Sequence, residues 1–426
     1  MPLKVKNIMA NKAYPPSICP GIPRLGKCPT GWSTCTFGDI LTVVERPVPV
    51  DDDTVYQLVT AKRNRGGIVP REQLKGREIK TQGQYTVRAG DFLIANRQII
   101  HGACGIVPES LDGALVSGEY TVLLPKDRLY LPWLACYAHS VHFQQTCFQS
   151  SIGVDVEKMV FKLDWWLKQR LHVPPMSEQK KIAAILSTWD AAIGQTRDLI
   201  KTAKRRKLAL MQQLLTGNVR LPGFGDAGGD AGRKTHGTTG GRLPEGWRRL
   251  HLHALARLEY GRDWASVADP AGAFPVYGTG GIIGRSSEPL AHGPTLIIGR
   301  KGSIAQPQMV ESSFWAVDTT FYLVPKVAFS VGWLHALLCL SGLGHLSEGS
   351  GVPSLSRSTL ESVRLPTPPL TEQRAIAAVL TTADDEIREL EAKAEALERQ
   401  KKGLMQKLLT GEVRVTQDAG RRTHAS

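Results

Sequence analysis

The chain has 426 residues, and its hydrophobic fraction of 42% and charged fraction of 22% are typical of a globular protein with two or more domains. No run of about 18 apolar residues could cross a bilayer and no secretion signal opens the chain, so we expect no membrane association and a cytoplasmic location. Seven irregularly spaced cysteines without a C-x-x-C pair argue against a disulfide framework and a metal site. The net charge of +14 favours nucleic acid as the partner, with charge that only keeps the protein soluble as the alternative.

An internal repeat and changes of composition divide the chain into segments. Two globular heads are each followed by a helical spacer, and a Gly-rich stretch that cannot bury enough apolar surface to fold separates the two halves. In chain order we predict an N-terminal extension (1–28), a first head (29–169), a first helical spacer (170–221), a Gly-rich linker (222–243), a second head (244–363), a second helical spacer (364–415) and a C-terminal tail (416–426).

The first head begins with the sequence PTGW and contains β-like runs at 55–60, 91–95 and 115–124, which predict a mixed α/β domain. Reading of base edges needs forked or amide donors, above all Arg for guanine and Asn or Gln for adenine. Two clusters of such donors are therefore candidate DNA contacts, with a solvated surface charge as the alternative for each residue. The candidates are Lys62, Arg63, Asn64 and Arg65, followed by Asn96, Arg97 and Gln98.

The first spacer carries complete helix signals. A Pro-Pro pair precedes Ser177, the predicted N-cap; Glu178 suits the positive end of the helix dipole, and Gly217 is the predicted terminator. Apolar residues recur between these signals at steps of four and three, which is the pattern of a coiled-coil seam. The seam residues are Ile182, Leu186, Trp189, Ile193, Ile200, Leu210 and Leu214.

The second head begins with a similar sequence, PEGW, and has β-like runs at 295–298 and 319–324. Its interior sequence differs from that of the first head, which suggests a different target. The glycines of YGTGGIIG predict a tight loop that brings backbone N–H groups close to a phosphate or base edge, with an ordinary turn as the alternative. The candidate DNA contacts of this head are Tyr277, Thr279, Arg285, Arg300, Lys301 and Ser303.

The second spacer repeats the first without a gap at an offset of 194 residues, with Thr371 as the predicted N-cap. Lys207 and Lys401 interrupt the two seams at the same point. The first helix has a net charge of +5 over 177–215 and the second of −1 over 371–409, so the acids of the second can offset the cations of the first if the helices pair. The second seam comprises Ile376, Leu380, Ile387, Leu390, Leu397, Leu404 and Leu408.

Motifs for catalysis are missing from the sequence. The pocket motif of a base methyltransferase, Asn or Asp followed by Pro-Pro and an aromatic residue, does not occur. A phosphate-loop imitation at 21–28 has Cys28 in place of the magnesium-binding Ser or Thr, and the pair His139 and His142 has no accompanying ligands. We therefore expect a non-catalytic protein without a cofactor.

The repeated head and helix resemble the specificity subunits of type I restriction-modification systems. The resemblance rests on the helix openings P-P-[ML]-[ST]-E-Q, the helix ends M-Q-x-L-L-T-G, the head starts P-x-G-W, and YGTGGIIGR, IIGRKGSIA and DTTFYL in the second head. GDFLIANRQIIHGACGIVP and LDGALVSGEYTV of the first head are similar to another variety of the family. The resemblance covers nearly the whole chain from Pro29 to Val415.

The resemblance implies an α+β fold in which two mixed α/β target recognition domains are separated by two long antiparallel helices that form an intramolecular coiled coil. It also implies that each head reads one half of a bipartite site in double-stranded DNA, while the helices set the gap. Two methyltransferase subunits and, for restriction, nuclease-translocase subunits are the implied protein partners. A stand-alone nucleic-acid enzyme and a coiled-coil scaffold without DNA binding are the alternatives.

Overall fold

The computed structural model describes residues 14–81, 83–225, 243–304, 306–348 and 351–415. Most of the predicted linker, the predicted tail and the start of the N-terminal extension lie outside these ranges. The chain forms two compact units, of which the first contains Met1–Gly194 and Glu395–Ser426 and the second Gln195–Ala394. Each unit therefore contains one head and a part of each long helix.

In the first unit the described chain runs from residue 14 into the first head. Its helices are α1 (Phe37–Ile40), α2 (Leu131–Tyr137), α3 (Val141–Gln149), α4 (Leu163–Leu167) and the start of α5 (Met176–Leu214). Its strands are β1 (Ser33–Thr36), β2 (Leu41–Val44), β3 (Pro47–Val48), β4 (Val55–Ala61), β5 (Ile68–Lys75), β6 (Gln84–Thr86), β7 (Phe92–Ala95), β8 (Cys104–Ile106), β9 (Leu115–Ser117), β10 (Tyr120–Pro125), β11 (Ser151–Ile152), β12 (Val160–Phe161) and β13 (Arg170–Val173).

The second unit repeats the frame of this head. Its strands are β14 (Arg248–His251), β15 (Ala256–Tyr260), β16 (Phe274–Gly278), β17 (Gly281–Ser286), β18 (Thr295–Gly299), β19 (Gln308–Val310), β20 (Trp315–Ala316), β21 (Thr320–Pro325) and β22 (Arg364–Thr367). Its helices are α6 (Leu252–Leu255), α7 (Val331–Ser341), α8 (Arg357–Glu361) and most of α9 (Leu370–Thr410).

The two heads share two sheets and differ in the others. In each head the strand after the P-x-G-W start pairs antiparallel with the strand before the long helix, β1 with β13 and β14 with β22. A four-stranded sheet has the order β2-β10-β7-β8 in the first head and β15-β21-β18-β19 in the second. A further sheet has five strands, β3-β6-β9-β4-β5, in the first head but three, β17-β16-β20, in the second, and the first head also has the two-stranded sheet β11-β12.

Each core combines a head with both helices. In the first unit Ile182 and Leu186 of α5 and Leu408 and Leu409 of α9 belong to the same buried cluster as the head's Trp133. The second unit's cluster likewise combines Met211, Leu214 and Leu215 of α5 with Ile376 and Leu380 of α9. A head therefore buries the beginning of the helix that follows it and the end of the other helix, and this burial stabilises both helix ends.

The long helices begin two residues earlier than predicted. Because α5 starts at Met176 and α9 at Leu370, Ser177 and Thr371 lie inside the first turn, and the N-cap prediction is wrong. The carbonyl of Pro175 already accepts the amides of Glu178 and Gln179, at 2.9 and 3.0 Å. Proline tolerates this position because its fixed φ suits a helix start and no N–H is required of it.

The predicted seam residues face protein rather than solvent. Eight are buried and six are half-buried. The buried residues are Ile182, Leu186, Ile193, Leu214, Ile376, Leu380, Ile387 and Leu408, and the half-buried ones are Trp189, Ile200, Leu210, Leu390, Leu397 and Leu404.

The predicted β-like runs correspond to strands, with one difference. The run 115–124 is divided between β9 and β10, which belong to different sheets, because the chain turns at Gly118-Glu119. Ser117, Gly118 and Glu119 interrupt the run and indicate a turn, but such an interruption does not reveal a change of sheet. In the part of the chain that the structure describes, no helix has the length and apolar character needed to cross a membrane.

Candidate nucleic-acid interface

The two candidate clusters of the first head meet at the turn between β4 and β5. The Arg63 guanidinium donates to the Gln98 amide oxygen at 2.7 Å and forms an ion pair with Glu157 at 2.6 Å. Arg63, Asn64 and Lys62 are exposed, and the Lys62 amide closes the turn on the Gly67 carbonyl at 2.9 Å. Cations and amides separated by more than 30 residues in sequence are thereby presented on one surface.

This turn has an unusual backbone. Asn64 and Arg65 have φ values of 58° and 57°, which is the left-handed region that L residues other than Gly rarely adopt. Each such residue costs about 1–2 kcal/mol. Arg65, unlike its neighbours, points inward: burial lowers the pKa of its guanidinium, and its Nη2 donates to the Ser17 carbonyl at 3.3 Å. Arg65 therefore holds the turn in place and leaves the surface to Arg63 and Asn64.

The other candidates of the first head also have partners within it. Arg97 is exposed and forms a two-pronged ion pair with Glu119, at 2.6 and 3.1 Å. The Asn96 side-chain oxygen accepts the Thr121 hydroxyl at 2.8 Å, which leaves its amide nitrogen as the donor. Exposed ion pairs are weak in water, so DNA phosphates can compete for Arg97.

In the second head the candidate cations have different environments. Arg300 lies over the Tyr260 ring at 5.4 Å and donates to the Asp318 carbonyl at 3.2 Å, so its guanidinium is pre-oriented. Lys301 is exposed. Arg285 donates to the carbonyls of Gly272 and Ala273, at 2.5 and 3.0 Å, and is therefore committed to holding a loop.

The glycine-rich motif forms a hairpin that lines a cleft. β16 and β17 pair with Tyr277 opposite Ile282 and Gly278 opposite Gly281, so the connection is a two-residue turn. Thr279 and Ser303 line a cleft of about 710 Å³ with glycines on both sides. The Gln308 amide donates to the Gly278 carbonyl at 2.8 Å and fixes one wall. Tyr277 instead packs edge-on against Phe314, at 6.2 Å, and supports the hairpin.

Exposed aliphatic side chains lie beside both candidate surfaces and were missed by a search for polar donors. Ile282 and Ile283 on β17 are 61% and 53% exposed. Val154 is fully exposed in the loop that leads to Glu157, the partner of Arg63. Apolar groups suit the thymine methyl in the major groove, so exposure at a predicted reading loop is the signal that would have found them.

A junction of equal construction closes each head. In the first unit the Glu178 carboxylate accepts the Trp32 indole N–H at 3.0 Å and both prongs of Arg414 at 2.9 and 2.8 Å. Although burial raises the pKa of Glu178, these hydrogen bonds outweigh it and hold the pKa below its usual value. Gly411 has a φ of +72°, and a Cβ there would clash with Pro29. Helix start, helix end and head start thus meet at one carboxylate.

The second unit builds the same junction from the equivalent residues. Glu372 accepts the Trp247 indole N–H at 3.0 Å and the Arg220 guanidinium at 3.0 and 2.7 Å. The glutamine of each E-Q motif is buried too: Gln179 accepts the Tyr130 amide at 2.8 Å, and Gln373 accepts the Ser330 amide at 2.9 Å. Glu178 was predicted only to suit the helix dipole, and these partners were not predicted, although P-x-G-W, E-Q and the Arg after the helix recur together.

Ion pairs connect the two helices within each unit. In the second unit Lys204 pairs with Glu391 at 2.7 Å and Lys207 with Asp384 at 2.5 Å, and Arg206 pairs with Glu386. In the first unit Lys401 pairs with Asp190 at 2.5 Å. The pairs of Lys207 and Lys401 are equivalent in the repeat, so the interruption of each seam is matched by an acid of the other helix. Among the described residues no cluster of His, Cys, Asp or Glu could hold a metal ion.

The family of the type I restriction modification DNA specificity domain matches residues 29–205 and 255–399, which is most of the chain. The chain belongs to this family. Its function is that of a specificity subunit of a type I restriction-modification system, and the sequence-based prediction is confirmed. Specificity subunits recognise DNA and are not themselves catalytic.

Similar proteins agree with this assignment. A putative type I restriction enzyme MjaX specificity subunit of Methanocaldococcus jannaschii is 21% identical over 92% of this chain and 96% of its own length. The MjaVIII specificity subunit of the same organism is 23% identical over 91% of this chain and 94% of its own length. A chain from a structure of a type I restriction-modification system, solved to explain complex assembly and conformational transition, has a TM-score of 0.59 at 20% identity and covers 91% of this specificity subunit and 100% of that chain. The last likeness supports the fold.

Proposed function

We propose that each head of this specificity subunit reads one half of a bipartite site in double-stranded DNA, while the two long helices form an antiparallel coiled coil that sets the gap. The observation that carries the proposal is the pair of heads with one frame and two different reading surfaces. A shared frame would hold each head on the DNA in the same way, and the two unlike surfaces would read two unlike half-sites. The proposed domains have the boundaries predicted from the sequence.

The helix contacts support the antiparallel spacer. From Lys204–Glu391 to Lys207–Asp384, the residue number rises on α5 while it falls on α9. The buried and half-buried seam residues are those expected of knobs packed into holes. The net charges of the two helices also favour pairing with each other over self-pairing of the more basic one.

We propose that the candidates fall into two groups, residues that contact DNA and residues that support them. In the first head the contacts are Lys62, Arg63, Asn64, Asn96, Arg97 and Gln98, and Arg65 is a supporting residue. In the second head the contacts are Thr279, Arg300, Lys301 and Ser303, and Tyr277 and Arg285 are supporting residues. Arg suits guanine, and amides and hydroxyls suit adenine or phosphate.

The proposed protein partners are two methyltransferase subunits and, in the restriction assembly, nuclease-translocase subunits, all in the cytoplasm. Two matching junctions, one in each unit, suit two copies of one partner, because each copy would meet the same helix start, helix end and head start. Transfer of labelled methyl groups to DNA by the complete complex would measure DNA reading and subunit docking together.

A map of methylated bases in the host genome tests the proposal. We expect a split motif with a fixed gap of unspecified bases. A map without a split motif would contradict the proposal; DNA cleavage or methylation by the isolated chain would favour a stand-alone enzyme, and no salt-dependent DNA binding would favour a protein scaffold.

Shortening both helices separates the spacer from the readers. Removal of residues 196–202 together with the equivalent residues 390–396 takes one heptad from each helix, or about 10 Å at 1.5 Å per residue. We expect the gap to shorten by about three base pairs while both half-sites stay the same. A changed half-site would show that the helices take part in reading, and an unchanged gap would show that they do not set it.

A further inference from the structure

Residues 14–21, called here the N-terminal strap, precede the region that the family match covers. They nevertheless pack closely onto the first head. Ile18 is 6% exposed and shares a small apolar cluster with Ile100 and Met159. Tyr14 lies edge-on against Phe148 with ring centres 5.8 Å apart. The Gln149 amide donates to the Gly21 carbonyl at 2.9 Å.

The strap reaches the inner side of the β4–β5 turn. The Ser17 carbonyl accepts the Arg65 guanidinium at 3.3 Å, and the Ser17 hydroxyl is hydrogen-bonded to His101 Nδ1 at 2.9 Å. The backbone on both sides belongs to the same arrangement, because the Arg65 amide donates to the Gly102 carbonyl at 3.0 Å. Both the strap and the segment that follows β7 therefore hold Arg65 in its inward position.

Two successive left-handed residues need such support. Asn64 and Arg65 remain in this conformation only while their surroundings determine it, since L residues relax to other regions when they are free. A relaxed turn would move Arg63 away from Gln98, with which it is hydrogen-bonded at 2.7 Å. Loss of the strap would thus disperse the donors that the first head presents.

We propose that the N-terminal strap is a positioning element for DNA reading by the first head. It holds Arg65 inward and thereby fixes the left-handed turn that presents Arg63 and Asn64 to the first half-site. The proposal rests on the proposed function of the heads, and it adds a segment that lies outside the family match.

The test compares Ile18→Asp with Ile22→Asp in the full-length chain. Ile18 is buried and its replacement undocks the strap, whereas Ile22, directly after the strap, is 69% exposed and serves as the matched control. Hydrogen exchange is measured without DNA. We expect the amides of residues 63–67 to exchange at least tenfold faster in Ile18→Asp, with no change at residues 279–285 of the second head and no change in Ile22→Asp. Unaltered exchange at 63–67 in Ile18→Asp would overturn the proposal.

DNA binding is then measured with duplexes that carry a base change in one half-site or the other. We expect Ile18→Asp to lose roughly tenfold in discrimination at the half-site whose discrimination also falls in Arg63→Ala, and to keep the other. Faster exchange with full discrimination at both half-sites would overturn the proposal while leaving the proposed function intact. Wild-type protein without sequence-specific binding would refute the proposed function and, with it, this role of the strap.

Tyr14→Ala provides a milder variant in case Ile18→Asp unfolds the head. It removes the ring contact with Phe148 but no other group of the strap. We expect a smaller change of the same kind, about threefold in exchange at 63–67 and in discrimination at the same half-site. A Tyr14→Ala protein with wild-type exchange and discrimination would again count against the strap as a positioning element.

Discussion

The two heads combine the same frame of sheets with two different candidate surfaces. Both close on an antiparallel strand pair, and both carry a four-stranded sheet of the same order. The first head presents cations and amides on a left-handed turn, around Arg63 and Asn64. The second presents hydroxyls around a glycine-lined cleft and an arginine, Arg300, stacked on an aromatic ring.

This comparison distinguishes the parts of each head that pack against the helices from the parts that are proposed to read DNA. The parts that contact α5 and α9 are nearly the same in both heads, down to the carboxylate that meets Trp32 in one and Trp247 in the other. The parts that point away from the junction differ in strand number, in loop and in donor type. If the heads read DNA as proposed, a change of target needs no change at the junction.

The largest expected effect tests whether the junctions of the two units are equivalent. Glu178→Ala and Glu372→Ala each leave an arginine and an indole N–H without their buried acceptor, so we expect each to lower the free energy of unfolding by about 3 kcal/mol. The loss should be somewhat greater for Glu372, which is fully buried. Urea denaturation followed by tryptophan fluorescence measures it, with the exposed Glu412→Ala as the control. A loss below 1 kcal/mol for either would contradict the comparison.

The next effect tests the difference between the surfaces. We expect Arg63→Ala to weaken specific binding by about 1–3 kcal/mol through one half-site only, and Arg300→Ala to do so through the other. Competition binding with duplexes altered in a single half-site distinguishes them. The controls are Arg77→Ala and Arg257→Ala, which remove exposed ion-paired arginines from the same heads. An unchanged footprint and affinity in Arg300→Ala would count against its role.

A smaller difference concerns acid stability. Burial and the neighbouring His172 lower the pKa of His142 in the first head to about 4, below the value of about 6.5 in an unfolded chain. The unfolded chain thus binds more protons, so the stability contributed by neutral His142 is present above pH 6.5 and is lost as the pH falls toward 4.

We expect His142 to contribute about 1 kcal/mol to the loss of stability of the first head between pH 7 and pH 5.5, so that the total loss is smaller in His142→Gln. In the second head burial also lowers the pKa of His335, but a hydrogen bond to the Pro307 carbonyl acts in the opposite direction. Hydrogen exchange at the two pH values, corrected for intrinsic rates, measures each head. Equal losses of stability in both heads would contradict the expected difference between them.

The smallest effect tests the equivalence of the seam lysines. Lys207→Met and Lys401→Met each remove a pair with a partly exposed aspartate, so we expect losses of only about 0.5 kcal/mol, equal in the two variants. Double-mutant cycles with Asp384 and Asp190 measure the coupling, and 1 M salt should abolish most of it. A coupling present for one lysine and absent for the other would show that the two seams differ.

Much of the frame could be predicted from the sequence because it depends on local or repeated signals. Pro-Pro pairs, apolar periodicity and the 194-residue repeat indicated both helices and the positions of both heads. Ser177 and Thr371 were wrongly predicted as N-caps, because sequence preference does not reveal that a proline carbonyl already accepts the first amides. The division of 115–124 between two sheets was likewise not predicted, because Gly118 and Glu119 indicate a turn whereas sheet membership depends on pairing with distant strands.

The candidate interface was predictable as residue types and not as geometry. Arg65 and Arg285 belong to the same kind of cluster as Arg63 and Arg300, yet they point inward or hold a loop. No local signal separates an arginine that serves the fold from one that is proposed to contact DNA. The exposed Ile282 and Val154 were overlooked because exposure depends on the whole packing of a head.

By itself, the sequence determined that the chain is built from two similar halves, that each half ends in a long amphipathic helix, and that the chain belongs with DNA specificity subunits. These features are encoded in short-range order and repetition, which survive without knowledge of contacts. The tertiary structure alone decided which donors share a surface, which carboxylate joins Trp32 to Arg414, and that the N-terminal strap lies beneath the turn of Arg63. Such choices depend on burial and hydrogen bonding between residues far apart in the chain, and no local preference fixes them.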